Sequence, residues 1–199
     1  MSITRTAIIA SVAWSIGTTT SARAQEPVAL PSASAQIAAA VTPLPEELKA
    51  GAAVLGYVTA GKLVSLRAGT NDMICLASDP AAKAFHPACY HKAMEPFMAR
   101  GRALRAEGVK GAQVDTVRFA EVKSGKIKMP THPTMLYQIF GGTFDEQTGK
   151  VTGGSALYLT YMPFATTATT GLTSTPSEKS PWLMFPGPPK AHIMFSVGM

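Results

Sequence analysis

Residues 73–107, MICLASDPAAKAFHPACYHKAMEPFMARGRALRAE, contain the features that decide the fold of this 199-residue chain. Cys75 and Cys89 in this stretch are the only cysteines of the sequence. An even number of cysteines in an oxidising compartment predicts a disulfide, and closing a loop of this length stabilises a fold by about 3 kcal/mol. The spacing differs from the C-x-x-C of redox pairs. We therefore expect a structural disulfide.

The second half of the same stretch predicts the principal helix, at about residues 93–107. Apolar side chains recur along it at three- and four-residue steps, at Met94, Phe97, Met98 and Leu104. Pro96 is tolerated only in the first turn of a helix, and Gly108 is a typical stop. Because the helix follows Cys89 so closely, the disulfide would hold its start against the strand that contains Cys75.

Short apolar runs between turn residues predict the remaining secondary structure. We predict strands at residues 52–58, 63–66, 73–76, 117–122, 126–129, 136–140, 156–161 and 192–197. Residues 165–181 are rich in Thr, Ser and Pro and predict a loop. The expected fold class is α+β: a mainly antiparallel sheet of short strands with one principal helix, in a single domain at 51–199 stapled by one disulfide.

The N-terminus predicts a signal peptide at residues 1–24. Arg5 precedes an apolar stretch at residues 7–17, and Ala22-Arg23-Ala24 fits the small-x-small cleavage pattern, so we expect cleavage after Ala24. The apolar stretch is too short to cross a bilayer core of ~30 Å. Residues 25–50 are rich in Ala, Pro and Ser and predict a mobile tether. We expect a periplasmic or secreted protein with no transmembrane segment after cleavage.

Composition and charge exclude two classes of protein. Hydrophobic residues make up 46% of the sequence, which is too apolar for a disordered chain. The net charge of +6 falls to +4 without residues 1–24, because Arg5 and Arg23 are lost. The densest basic run, Lys123 to Lys128, alternates with uncharged residues and predicts the solvent-facing side of a strand. The sequence has no basic block of the kind that binds nucleic acid, so we expect no nucleic-acid partner.

Histidine and methionine are the candidates for chemistry, since the sequence has no P-loop, H-E-x-x-H or nucleophile-elbow motif. His86 and His91 flank Cys89, and a metal ion would need them together with His132 or His192. The alternative is that they are hydrogen-bonded surface histidines, and we expect no cofactor.

A second metal hypothesis concerns the last strand. His192-x-Met194 resembles the His-x-Met end of periplasmic copper chaperones, although Thr170 stands where the nearer methionine of those proteins would be. Thioether sulfur suits Cu(I), so a copper carrier built on His192 and Met194 is one alternative. The other is that the methionines fill gaps in the core.

Two segments rich in aromatic residues and proline, at 161–165 and 181–190, are typical of the wall of an apolar ligand pocket or of a capped sheet edge. We expect any pocket to lie between the loop after Phe164 and the face of the last strand around His192. The candidate pocket residues are His192, Met194, Trp182, Phe164 and Arg67. No catalytic residue is predicted.

Residues 66–76, LRAGTNDMICL, followed by Asp79-Pro80 and by Pro87-Ala88-Cys89, resemble a group of uncharacterised exported bacterial proteins. In that group an L-R-x-G-[ST]-N-x-x-x-C segment precedes a D-x-P loop and a P-x-C. The later Pro-Trp and the Pro-x-x-His-Ile-Met ending of this chain are similar to the group as well. The resemblance implies an exported domain in which the two cysteines recur as a unit. It implies no activity and no catalytic residues.

These features favour an exported soluble domain that acts as a binding or structural module for a small-molecule or protein ligand. Two alternatives remain open at the level of the sequence. One is an exported hydrolase or metal-dependent enzyme that uses His86, His91 or His192 as base or ligand. The other is the copper carrier built on His192 and Met194.

Overall fold

The computed structural model describes residues 30–59 and 61–197. The predicted signal peptide at 1–24 and the start of the predicted tether lie outside these residues. The described chain forms a mainly antiparallel sheet with helices packed on it, in one domain with one disulfide. This confirms the predicted α+β fold class.

The main sheet has eight strands. They are β1 (Ala53–Thr59), β2 (Lys62–Arg67), β3 (Met73–Leu76), β4 (Ala88–His91), β5 (Thr134–Phe140), β8 (Ser155–Tyr161), β9 (Trp182–Met184) and β10 (His192–Val197). Their order across the sheet is β2-β1-β3-β4-β5-β8-β10-β9. Only β1 and β3 are parallel neighbours; the other pairs are antiparallel. A separate hairpin consists of β6 (Thr143–Asp145) and β7 (Lys150–Thr152).

The disulfide joins Cys75 of β3 to Cys89 of β4, as predicted, with the two Cα atoms 4.0 Å apart. The two cysteines are direct partners in the antiparallel ladder, and neither side chain is exposed. Successive residues of a strand point to opposite faces of the sheet. The disulfide therefore lies on one face, and the neighbouring residues Ile74 and Tyr90 lie on the other.

The disulfide face is covered by the N-terminal part of the described chain. This part contains α1 (Ala33–Ala40) and α2 (Glu46–Lys49). Ala40, Val41 and Leu44 belong to the same buried cluster as the two cysteines. The prediction of a mobile tether at 25–50 is therefore wrong for residues 30–50, which form part of the core. Alanine side chains are small, so α1 can approach the sheet closely.

Gln36 anchors α1 to β1. The side chain is 6% exposed. Its Oε1 accepts a hydrogen bond from the Tyr57 N–H (2.7 Å), and its Nε2 donates to the carbonyl oxygens of Tyr57 and Pro31 (both 2.9 Å). A buried amide is tolerated only when its polar atoms are satisfied in this way. The composition of residues 25–50 does not reveal these contacts, because they depend on a strand twenty residues further along.

The principal helix is confirmed on the opposite face of the sheet. A 3-10 turn at Lys92–Met94 leads into α3 (Glu95–Ala106), with Pro96 in the first turn as expected. Met94 and Phe97 are buried in one cluster with Tyr90, Leu136 and Leu159 of the sheet. The strand β4 thus connects the disulfide on one face to the helix on the other.

A second long helix, α4 (Gln113–Lys123), replaces the strand predicted at 117–122. Residues 126–129 are not a strand either, so the basic run from Lys123 to Lys128 forms the end of α4 and the turn after it. Valine and phenylalanine at 117–122 favour a strand locally, but tertiary contacts override such preferences. Val114 and Arg118 lie one helical turn apart and are both buried. The Arg118 Nη1 donates to the Phe97 carbonyl oxygen at 3.3 Å, which holds α4 against α3.

The predicted loop at 165–181 is partly ordered. It contains the short helix α5 (Thr167–Thr170), and its Thr166 side chain caps that helix. Among residues 30–59 and 61–197, none of the helices combines the length and the apolar character that crossing a bilayer requires.

Candidate functional site

An open groove of about 770 Å³ lies where the segment between α4 and β5 faces the segment that follows β8. Most of its lining is apolar. The lining residues are Val122, Gly125, Ile127, Lys128, Met129, Pro130, Thr131, His132, Pro133, Met162, Pro163, Phe164, Ala165 and Thr169. Its size falls in the range of about 300–1,000 Å³ that is typical of small-molecule sites.

Phe164 forms part of the groove wall in an unusual conformation. It is 53% exposed, and its φ of +66° lies in the left-handed region. Among the described residues, Phe185, with φ +53°, is the one other non-glycine residue at positive φ. This conformation costs roughly 1–2 kcal/mol for a residue with a side chain. Strained residues of this kind are concentrated at functional sites.

Backbone hydrogen bonds hold the strained segment in place. The Phe164 N–H donates to the Pro188 carbonyl oxygen at 3.2 Å, and the Gly187 N–H donates to the Ala165 carbonyl oxygen at 2.7 Å. A third bond runs from the Met162 N–H to the Ala191 carbonyl oxygen at 3.0 Å. The segment after β8 is therefore paired to the segment before β10, and these hydrogen bonds fix the backbone of the groove wall.

The base of the groove is continuous with the core under α3 and α4. Ile127 is buried in one cluster with Met194, and Val122, Met129 and Trp182 pack against that cluster. Met194 is 9% exposed and lies opposite Trp182 in the β9–β10 ladder. Two of the predicted pocket residues, Met194 and Trp182, thus support the groove from below, and Phe164 lines it directly.

His192 lies behind the groove rather than in it. The side chain is buried, and its Nδ1 is 2.7 Å from the Lys190 carbonyl oxygen. Because a carbonyl only accepts, Nδ1 carries the proton. The ring packs against Tyr161 and Phe185, with ring centres 5.2 and 5.8 Å away. Burial lowers the pKa of His192; the Lys190 carbonyl opposes this shift, and the Lys190 charge adds to it.

A partly buried ion cluster joins α4 to the segment before β10. The Asp115 carboxylate pairs with both Arg118 and Lys190. The Arg118 guanidinium lies 3.8 Å from the centre of the Phe97 ring, and the Lys190 ammonium lies 3.7 Å from that of Phe185. Burial raises the pKa of Asp115, but the hydrogen bonds from Lys190 and Arg118 outweigh it, and the pKa lies below its usual value. The cluster therefore fixes the strained Phe185 against the helical layer.

His192 should make stability depend on pH in the weakly acidic range. Its pKa is lower in the folded protein than in the unfolded chain, so its contribution is complete above about pH 6.5 and is lost as the pH falls through the folded pKa. We expect the urea midpoint to fall as the pH is lowered below about 6.5, and His192→Gln to flatten this dependence. His86→Gln, at an exposed position, is the control and should retain it. An unchanged pH profile in His192→Gln would contradict this assignment.

Arg67 does not share the groove with the other predicted pocket residues. It lies on the edge strand β2, at the far side of the sheet from β9 and β10. Its Nε donates to the Ala52 carbonyl oxygen (3.0 Å), and its Nη2 donates to the Lys49 carbonyl oxygen (2.6 Å). Arg67 thus joins β2 to the end of α2, which is a structural role.

The histidines of the enzyme hypothesis lie apart. His91 and His192 belong to β4 and β10, which are three strand spacings, or about 14 Å, apart. The His86 Nε2 lies 3.0 Å from the Gln138 amide oxygen. His86 precedes the first residue of β4, whereas His91 is the last residue of that strand. His91 caps the 3-10 turn by accepting from the Ala93 N–H at 3.2 Å. Of the predicted partners of His91, His132 is nearby, with ring centres 6.4 Å apart.

Metal-ligating groups are sparse in the part of the chain that the structure describes. Residues 30–59 and 61–197 contain no group of three or more His, Cys, Asp or Glu side chains arranged to hold a metal ion. The Asp72 carboxylate near His91 is paired with Lys92 at 2.7 Å.

Sequence reasoning missed most of the groove, including Val122, Ile127 and Met129, because residues 117–122 and 126–129 were predicted to be strands. The sequence did contain a signal for these segments, namely the prolines in Met129-Pro130-Thr131-His132-Pro133 and in Met162-Pro163. Because proline interrupts a sheet, these prolines indicate that both segments lie outside the strands. No family model, curated protein or solved structure matches the chain. Function is therefore inferred from the groove and its surroundings.

Proposed function

We propose that this protein is an exported binding module and that the groove between α4–β5 and the segment after β8 takes up a small apolar ligand. The observation that carries the proposal is the exposed Phe164, held at positive φ in the wall of a preformed apolar groove. An exposed aromatic side chain held in a strained backbone conformation is costly in the free protein. A ligand that covers this side chain recovers part of that cost by burying apolar surface.

Two further features support the proposal. Three prolines, Pro130, Pro133 and Pro163, restrict the backbone of both walls, so little conformational entropy is lost when a ligand binds. The disulfide between Cys75 and Cys89 is typical of a protein that works in an oxidising compartment, which agrees with the signal peptide predicted at residues 1–24.

The test uses N-phenyl-1-naphthylamine, a neutral apolar fluorophore, as the probe. We expect saturable binding with enhanced probe emission, and we expect Phe164→Ala to weaken the affinity about tenfold, since burying a phenylalanine contributes roughly 1.5–3 kcal/mol. The matched control is Phe140→Ala, because Phe140 is equally exposed (58%) but is outside the groove lining. Equal affinities of the two variants, or a wild-type protein that does not bind the probe, would contradict the proposal.

A further inference from the structure

The lining of the groove contains one formally charged side chain, and its charge is positive. Its lining contains one ammonium group, on Lys128, one imidazole, on His132, and no carboxylate. Lys128 is exposed and forms no ion pair among residues 30–59 and 61–197. A cation without a counter-charge at the mouth of an apolar groove favours a ligand that brings a negative charge.

One lysine of the basic run that the sequence singled out, Lys128, lies in the groove lining. Lys123 ends α4, and Lys126 and Lys128 are in the turn that follows. Lys126 is neutralised by the Glu121 carboxylate at 2.7 Å, and Glu121 is itself paired with Arg100 at 2.9 Å. Lys123 is exposed and is outside the lining. Lys128 therefore supplies the positive charge on the α4 side of the groove.

The opposite wall is apolar. The consecutive residues Met162, Pro163, Phe164 and Ala165 form it, and the one polar residue near them in the lining is Thr169. The groove thus has one lysine on one side and an apolar wall on the other. A ligand that satisfies both sides has a negatively charged end and a hydrocarbon body.

We infer that the ligand is a single-chain amphiphile with one carboxylate, a long-chain fatty acid, whose carboxylate lies at Lys128 and whose chain lies along Met129, Met162 and Phe164. This inference rests on the proposed function of the groove. The carboxylate follows from the number of cations: one lysine in the lining matches a monoanion. Phosphate monoesters are typically bound by clusters of arginine or by several donors at once, and the lining contains no arginine.

The experiment compares ligands that differ only in the head group, using the full chain. Palmitate and hexadecanol have the same chain length, and each is titrated against bound N-phenyl-1-naphthylamine. We expect wild-type protein to bind palmitate about tenfold more tightly than hexadecanol, and this preference to shrink at about 1 M salt, where charges are screened within ~3 Å. Lys128→Gln should bring the palmitate affinity down to that of hexadecanol. Lys150→Gln is the control, because Lys150 is an exposed lysine in the β6–β7 hairpin, outside the lining.

The outcomes separate this inference from the proposed function. If both ligands displace the probe equally and Lys128→Gln changes neither affinity, the anionic ligand is wrong while the apolar site stands. If hexadecyl phosphate binds more tightly than palmitate in a Lys128-dependent way, the carboxylate assignment is wrong. If neither ligand displaces a probe whose binding depends on Phe164, the long-chain ligand is wrong. If the probe itself does not bind, both the fatty-acid inference and the proposed function are wrong.

Discussion

Phe97→Ala should lower the free energy of unfolding by about 3–5 kcal/mol, the largest single-residue effect that we expect in this protein. Phe97 is 1% exposed and lies in the cluster between α3 and the sheet. Its ring stacks on Phe119 with the ring centres 6.4 Å apart, a separation typical of aromatic pairs, and the Arg118 guanidinium lies 3.8 Å from the centre of the Phe97 ring. Removing the ring leaves a cavity and also exposes a buried cation to that cavity.

Urea unfolding followed by circular dichroism measures this effect. Phe140→Ala is the matched control, since it makes the same chemical change at a side chain that is 58% exposed. We expect that variant to stay within about 1 kcal/mol of the wild type. If the two alanine variants lost the same stability, Phe97 would not be the packing centre that the structure indicates. The larger consequence of Phe97→Ala is for α4, because Arg118 holds this helix to α3 through the Phe97 carbonyl and ring.

Replacing both cysteines by alanine should cost about 3 kcal/mol. The disulfide closes the loop between Cys75 and Cys89, 14 positions apart, and so restricts the unfolded chain. It also lies against α1, with the Cys89 Sγ 3.2 Å from the Ala40 carbonyl oxygen. Alanine is the appropriate replacement, because a serine would bury a hydroxyl group at two positions that are 0% exposed.

A reductant provides the control for the double variant. We expect dithiothreitol to lower the unfolding midpoint of the wild type by about as much as Cys75→Ala/Cys89→Ala does, and to leave the variant unchanged. A wild type whose midpoint is insensitive to complete reduction, verified by thiol titration, would show that the disulfide does not contribute this stability.

The comparison of α3 with α4 shows how far local pattern predicts this fold. The apolar residues of α3 recur at helical steps and Pro96 marks its start, so the helix is evident from residues 93–107 alone. The α4 sequence is rich in valine and phenylalanine, residue types that favour a strand locally. It is helical because Arg118 is buried against Phe97 and is paired with Asp115, which in turn is paired with Lys190. Phe97 is 21 positions from Arg118, and Lys190 is 75 positions from Asp115. A short stretch of sequence around α4 therefore does not contain these two partners.

The sequence predicted only part of the candidate site, because the rest of the site depends on contacts between distant residues. Phe164, Trp182 and Met194 were selected from aromatic and proline-rich segments and from the last strand, and the structure places them in or beneath the groove. Arg67 was also predicted to be a pocket residue, but it lies across the sheet, on β2. The other wall, at residues 125–133, was missed because it is a turn that acquires its shape from the core beneath it.

The sequence by itself determined the disulfide, since it contains only two cysteines. It also determined the α3 helix and the strands β5 and β8, because their signals are local. The tertiary structure decided what residues 30–50 and α4 become and which two segments face each other across the groove. The physical reason is that periodicity and turn chemistry act over a few neighbouring residues. Burial of Gln36 and Arg118, in contrast, is favourable only when partners from distant strands and helices satisfy their polar atoms.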